Sequence, residues 1–470
     1  MAFRFPRLHG TRFAVACSLC AATGLATAQP VSPELQRFRD IYKELIEINT
    51  THSSGSTTKA AQAMQARLQS AGFGAGEMQI IEPFPAKGNL VLRWNGDGRK
   101  KPILLLAHID VVEAKREDWK TDPFTLQEGG GYFTARGAID DKAMAAGLVS
   151  VLDQLKREGF KPQRDIILAL TADEERGNVD SNGVRWMLNN KPGLLQAELG
   201  INEGGGGELR NGKPNVHRVQ VAEKLFTSFT LELRDVGGHS SLPTASNPIY
   251  AMSAALTRLG AHHFPVKLAD VTKTYFSRSA QFASGQLAAD MRAIGSGQTS
   301  PALLARLSRN PAYNAQLRTT CTATMLNAGH AENALPQSAK ATVNCRILPF
   351  DNPDDIERQI RQVLANDNIT VQQVSKPTIS PVSPLKGAIA DTIEQLTKEM
   401  WPGVPVIPFM STGATDSRFA RNAGIPMYGV SGLFFEPADL RIHGLDERVE
   451  IKYLYESREF LYRLVKKLAS

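Results

Sequence analysis

Leu35, Phe38, Ile41, Tyr42, Leu45 and Ile46 recur at helical spacing, and Thr57 to Ala71 continues the pattern until Gly72 stops it. The pattern then changes. Ile103 to Ala107 and Ile166 to Leu170 are short, nearly continuous apolar runs, which suit strands covered by helices on both faces. Between them Met144, Leu148, Val151, Leu152 and Leu155 form a helical stripe ending before Gly159. Strand, helix, strand predicts an α/β domain with helices on both faces of a mostly parallel sheet. From Glu223 to Ile347 the texture differs: an extended stretch over Leu225 to Leu233, a helical segment over Pro248 to Leu259, and β-prone runs over Thr319 to Leu326 and Ala341 to Leu348. After Asp351 helical stripes and short apolar strands resume. The pattern predicts one α/β domain, over 29–222 and 348–470, interrupted by an inserted α+β unit over 223–347.

The first residues follow another logic. Arg4, Arg7 and Arg12 precede an uncharged, mostly apolar run from Phe13 to Leu25, and Ala26-Thr27-Ala28 supplies small residues at a cleavage position. This reads as an export signal over residues 1–28, with a periplasmic or secreted destination. The run is shorter than the ~20 residues that span a bilayer, and no later segment comes closer. Part of the net charge of +7 belongs to this leader. The remainder is only mildly basic, which argues against a nucleic-acid partner. Cys17 and Cys20 leave with the leader, so Cys321 and Cys345 remain, either as a disulfide or as two buried thiols.

Acidic and histidine side chains gather where the apolar runs end. His108 and Asp110 follow one run, Asp173, Glu174 and Glu175 another, and Glu203 follows Leu199-Gly200-Ile201. Asp140 and Asp141 lie just before the helical stripe. In an open α/β sheet the crevice at the carboxyl ends of the strands is where ligands bind. Each residue alone has a plain structural explanation, as a core histidine, a helix cap or a solvated turn. Together they are a ligand set for zinc or a similar ion, because buried like charges persist only when cations neutralise them. The run Gly204 to Gly207 after Glu203 is either a flexible turn or a place where backbone approaches a ligand.

The motifs AHID at 107–110, W-x-x-D-P-F at 119–124, ARGAIDDK at 135–142, TADEE at 171–175, GGHSS at 237–241, ENALP at 332–336 and RIHGLDE at 441–447 occur in one order. The series resembles the co-catalytic zinc exopeptidases and deacylases, which include glutamate carboxypeptidase, aminoacylase, carnosine dipeptidase and succinyl-diaminopimelate desuccinylase. It looks nearest to the branch of Gly-X carboxypeptidases and N-acyl amino acid hydrolases. The resemblance implies two Zn²⁺ per chain, with Co²⁺ or Mn²⁺ as substitutes. It makes His108 and Glu203 ligands of one ion, Glu175 and His443 ligands of the other, and Asp140 the bridge, across a cis Asp140–Asp141 bond. Asp110 would orient His108, and Glu174 would be the general base.

The same resemblance makes the inserted unit a lid and dimerisation domain. His239 would reach the second subunit's site and stabilise the oxyanion, while Asn333, Arg346 and Arg418 would line the substrate cleft. The expected reaction is hydrolysis of an amide beside a free C-terminal carboxylate, in a small peptide or N-acyl amino acid. N-acyl amino acid deacylase and dipeptidase are the enzymatic alternatives. A metal-binding protein of the same fold without catalysis is the non-enzymatic one.

Overall fold

A computed structural model describes residues 32–470; the leader read over residues 1–28 lies outside them. The first helix, Pro33–Glu47, is capped by the Ser32 side chain and buries Phe38, Ile41, Tyr42, Leu45 and Ile46, the stripe seen in the sequence. The largest element is a ten-stranded sheet. At its centre Ile103–His108 runs parallel to Ile166–Thr171 on one side and to Leu199–Asn202 on the other. Every residue of the first two strands is buried, which explains the unbroken apolar runs. Antiparallel strands extend the sheet at its margins, such as Met78–Ile81 against Asn89–Trp94.

Helices cover both faces. Lys142–Arg157 and Ile451–Ala469 belong to the larger core, with Leu148, Leu152, Phe460 and Leu464 fully buried. Gly183–Asn190 and Ser417–Asn422 cover the other face through Val184, Met187 and Phe419. Among the described residues no helix is long and apolar enough to cross a membrane.

The second unit is a four-stranded antiparallel sheet, in the order Thr320–Ala328, Ser338–Ile347, Leu225–Arg234 and Thr370–Gln373. Pro248–Ala261 and Pro353–Leu364 pack on it through Met252, Leu259, Ile356 and Ile360. Its fourth strand and second helix lie beyond residue 347, where periodicity alone ends the insertion. The difference has a simple cause: an Ile356/Ile360/Leu364 stripe is equally suited to either sheet, and only strand pairing such as Leu231 with Val371 assigns it here. The helices Asp270–Ser279, Gly285–Gly295 and Pro301–Ser308, by contrast, share a core with Val216 and Ile407 of the large sheet.

Cys321 and Cys345 face one another across adjacent strands, 4.1 Å apart at Cα, and form a disulfide. Closing a loop of 24 residues in the unfolded chain is worth about 3 kcal/mol. A chain that begins after residue 28, denatured without reductant, should therefore take up no thiol label, and reduction should expose both cysteines. The double alanine variant should lose about 3 kcal/mol in denaturant unfolding.

Candidate metal centre

Strand register assembles the site. His108 pairs with Thr171, and the Ile109 N–H donates to the Thr171 carbonyl, so the segments leaving the two strands run side by side. Asp110 thereby meets the Glu174–Glu175 turn. Its two carboxylate oxygens accept the backbone N–H groups of Glu174 (3.2 Å) and Glu175 (3.1 Å). His108 Nδ1 lies 3.0 Å from the Asp110 carbonyl and 3.5 Å from its carboxylate, which fixes the ring and leaves Nε2 facing the crevice.

Asp140 stands between the two histidines. One of its oxygens lies 2.9 Å from His108 Nε2 and the other 3.2 Å from His443 Nε2. His443, in a loop with φ +62°, also lies 2.9 Å from Glu175. The ligand-type atoms of His108, Asp140 and Glu175 fall within 4.8 Å of one another, and so do those of His108, Glu174 and Glu203. Asp140 therefore stands between His108 on one side and His443 with Glu175 on the other, an arrangement that fits two adjacent cations. Asp141 turns elsewhere: it is buried and accepts the His108 backbone N–H at 3.3 Å. The Asp140–Asp141 peptide bond is cis.

Electrostatics favour the same conclusion. Burial, with the charges of Asp416 and Glu203, pushes the Glu174 carboxyl well above its usual range, against the pull of His108 and Arg418. Glu203 is pushed up by burial and by Asp140. Burial also opposes the charge on Asp140, yet its contacts with His108 and His443 hold it below the ordinary carboxylate range. Those with Asp140 and Glu175 push His443 up to about 10. The pocket holds more carboxylate than its histidines can balance, and divalent cations are the chemistry that fits such a donor set.

Arg346 and Arg418 line a cavity of about 380 Å³ together with Glu174, Glu175 and His443. His239 and Asn333 do not line it. They sit on the second unit, both exposed, where Gly238–His239 pairs with Ala334–Leu335.

Two further acids, Glu447 within RIHGLDE and Asp416 outside the motifs, carry structural work that no local pattern announces. Glu447 is fully buried and accepts from Arg136 Nη1 (2.7 Å) and from the backbone N–H groups of Gly137, Ile139 and Asp140. Asp416, pushed up to about 6 by burial, accepts from Asn182 at 2.6 Å. The glycine run is packed tightly against its strand neighbours. A Cβ on Gly205 would stand 2.0 Å from the Gly429 carbonyl, and one on Gly207 2.1 Å from the Phe434 ring.

The sequence model of peptidase family M20/M25/M40 matches residues 104–467. The chain belongs to this family. A probable carboxypeptidase S-like 2 of Dictyostelium discoideum is 31% identical over 397 residues, covering 81% of this chain and 74% of that one. The human N-fatty-acyl-amino acid synthase/hydrolase PM20D1 is 28% identical over 396 residues, covering 82% and 77%. Among solved structures, the M20 family metallo-carboxypeptidase Sso-CP2 of Sulfolobus solfataricus superposes with a TM-score of 0.66 at 17% identity, over 93% of this chain and 99% of that one. The protein is thus an M20 hydrolase with the M20 fold.

In this M20 hydrolase, Glu447→Ala should cost about 3–5 kcal/mol, because Arg136 is left buried without its anion. Denaturant unfolding reads the loss. A cost under about 1 kcal/mol would mean that the Asp140 loop is held by other contacts.

Proposed function

We propose that this M20 hydrolase cleaves the amide bond next to a free C-terminal carboxylate, as a metallo-carboxypeptidase. The observation that carries the reading is the shared cavity, whose lining joins Glu174, Glu175 and His443 to Arg346 and Arg418. The Arg346 guanidinium donates to the Thr412 carbonyl at 3.2 Å and stacks on Phe226 at 4.8 Å. Arg418 donates to the Thr415 carbonyl at 2.9 Å and stacks on Phe419. Neither guanidinium forms an ion pair with an acidic side chain among the described residues, so both remain available to a substrate anion.

His108, Glu203 and Asp140 would hold one divalent ion, and Glu175, His443 and Asp140 the other, with zinc the first candidate and cobalt or manganese next. Such a pair, when bound, acidifies a water and polarises the scissile carbonyl. Glu174 takes one proton from the attacking water and delivers it to the departing amine nitrogen. Asp110 keeps His108 oriented and, through its hydrogen bonds to their backbone N–H groups, holds Glu174 and Glu175 in position. Arg346 and Arg418 hold the carboxylate so that the amide lies over Glu174. An N-acyl amino acid presents the same pairing of amide and carboxylate, and the name of the human relative favours it as the second reading.

The reading includes a homodimer through the lid. His239 and Asn333 are neighbours, since the Ser240 N–H donates to the Asn333 carbonyl at 3.1 Å, and both are exposed away from their own cavity. In a dimer they would reach the second copy's site, His239 toward the oxyanion and Asn333 toward the carboxylate. The leader pattern over residues 1–28 and the Cys321–Cys345 bond favour export to an oxidising compartment.

Metal analysis of the active protein should find two ions per chain. Glu174→Gln should retain them and lose about 10²–10⁴ in turnover. Free-acid substrates should be cleaved about ten- to a hundredfold better than their C-terminal amides. Near-normal turnover in the glutamine variant would move the base elsewhere, and equal rates on acids and amides would overturn the carboxylate reading.

A further inference from the structure

Lys224 stands where the chain leaves the strand Lys213–Glu223 and enters the lid, and it is 1% exposed. Its backbone N–H donates to the Ser411 carbonyl at 2.9 Å, which ties it to the large sheet. Its ammonium donates to the Arg318 carbonyl (2.7 Å) and to Thr320 Oγ1 (3.3 Å). An ammonium has three N–H groups, and the third has no acceptor among the described residues. Nor does any carboxylate there pair with it. Glu223, its neighbour in sequence, accepts from Arg421 Nη1 (2.9 Å) and the Thr415 N–H (2.7 Å) instead. Asp351 attracts Lys224 from a distance but pairs with Lys267 and accepts from Thr319.

The charge that acts on it most is of the wrong sign, that of Arg346. Thr320, which Lys224 touches, is the strand partner of Arg346, and Phe226 is the partner of Arg346 on its other side. Lys224 and Arg346 both line the cavity that holds Glu174. A buried ammonium that shares a cavity with a guanidinium, neither of them paired directly with a carboxylate among the described residues, is a costly arrangement. It becomes favourable when an anion enters the cavity.

We infer that Lys224 is a third cationic receptor for the terminal carboxylate of the substrate, acting beside Arg346 and Arg418. The inference rests on the carboxylate reading of the site and adds to it a residue from the lid hinge. It also carries a signature. Burial and the Arg346 charge bring the Lys224 ammonium down to about 7. Carboxylate recognition is then strongest below that pH and weakens as the ammonium loses its proton. The other groups facing it are Glu174, Glu175, His443 and Arg418 across the cavity. Those groups stay in place in a Lys224→Arg variant, so a pH dependence that they cause survives the substitution and one that Lys224 causes does not.

The test measures kcat/KM of the metal-loaded enzyme for an N-acetylated dipeptide and for its C-terminal amide, from about pH 6 to about pH 9. In the wild type the acid-to-amide ratio should fall as pH rises through about 7. Lys224→Arg keeps the charge and should flatten that fall. Lys224→Met should lower the ratio about ten- to a hundredfold at the acidic end, mainly through KM of the acid. A methionine variant that loses both substrates equally, or keeps the wild-type ratio, overturns the assignment. If that variant does not fold, the arginine variant decides, and a fall identical to wild type overturns it. A wild type with no acid preference at any pH overturns the carboxylate reading itself, whereas a preference untouched by either variant overturns only Lys224.

Discussion

The parallel register between Ile103–His108 and Ile166–Thr171 is the constraint on which the site depends. Because side chains alternate along a strand, a slip of one residue would turn His108 away from the crevice and separate Asp110 from the Glu174–Glu175 turn. The register is held by strands buried on both faces, where every inward or outward shift exchanges well-packed apolar contacts for voids and clashes. The cost of gathering His108, Asp110, Glu174 and Glu175 at one edge is thus met by hydrophobic packing some distance from it. Asp110 turns that packing into geometry, since its carboxylate accepts from the two backbone amides of the acids that follow the neighbouring strand.

A second anchor comes from the far end of the chain. Glu447 accepts from the backbone of Gly137, Ile139 and Asp140, while Arg136 donates to the carbonyls of His443 and Gly444. One buried ion pair therefore fixes both the loop that carries Asp140 and the loop that carries His443. These two residues, more than three hundred positions apart, meet at 3.2 Å. An ion pair so deeply buried contributes little as a bare attraction; its worth here lies in the specific backbone positions that it enforces.

Much of this was legible in the sequence because chemistry sits where hydrophobic runs stop. His108, Glu174, Glu175 and Glu203 follow strands that periodicity alone identifies, and motif order supplied Asp140 and His443. The end of the lid was not legible, since the Ile356/Ile360/Leu364 stripe reads the same whichever sheet it covers. Glu447, Asp416 and Lys224 were missed for a related reason: a lone charged residue in a loop or between two strands gives no local sign of burial, which depends on elements remote in sequence. The glycine run failed differently. Its small side chains answer to the close approach of Gly429 and Phe434, strand neighbours that no local pattern reveals.

The balance of charge across the cavity links the two units of the molecule. The large unit contributes the acids Glu174 and Glu175 together with Arg418, and the second unit contributes Arg346, with Lys224 at the crossing between them. Each side is destabilised by its own crowding, through burial and like-charge repulsion that shift Glu174 up and Lys224 down. The complementary partners differ in kind: cations for the acidic side, and a carboxylate for the basic side. A molecule with an amide one bond from a carboxylate-bearing carbon answers to both at once, with its carbonyl at the acidic side and its anion at the lid. On the carboxylate reading proposed above, recognition and chemistry both follow from where these charges sit, and the crossing at Glu223 and Lys224 joins the elements that carry them.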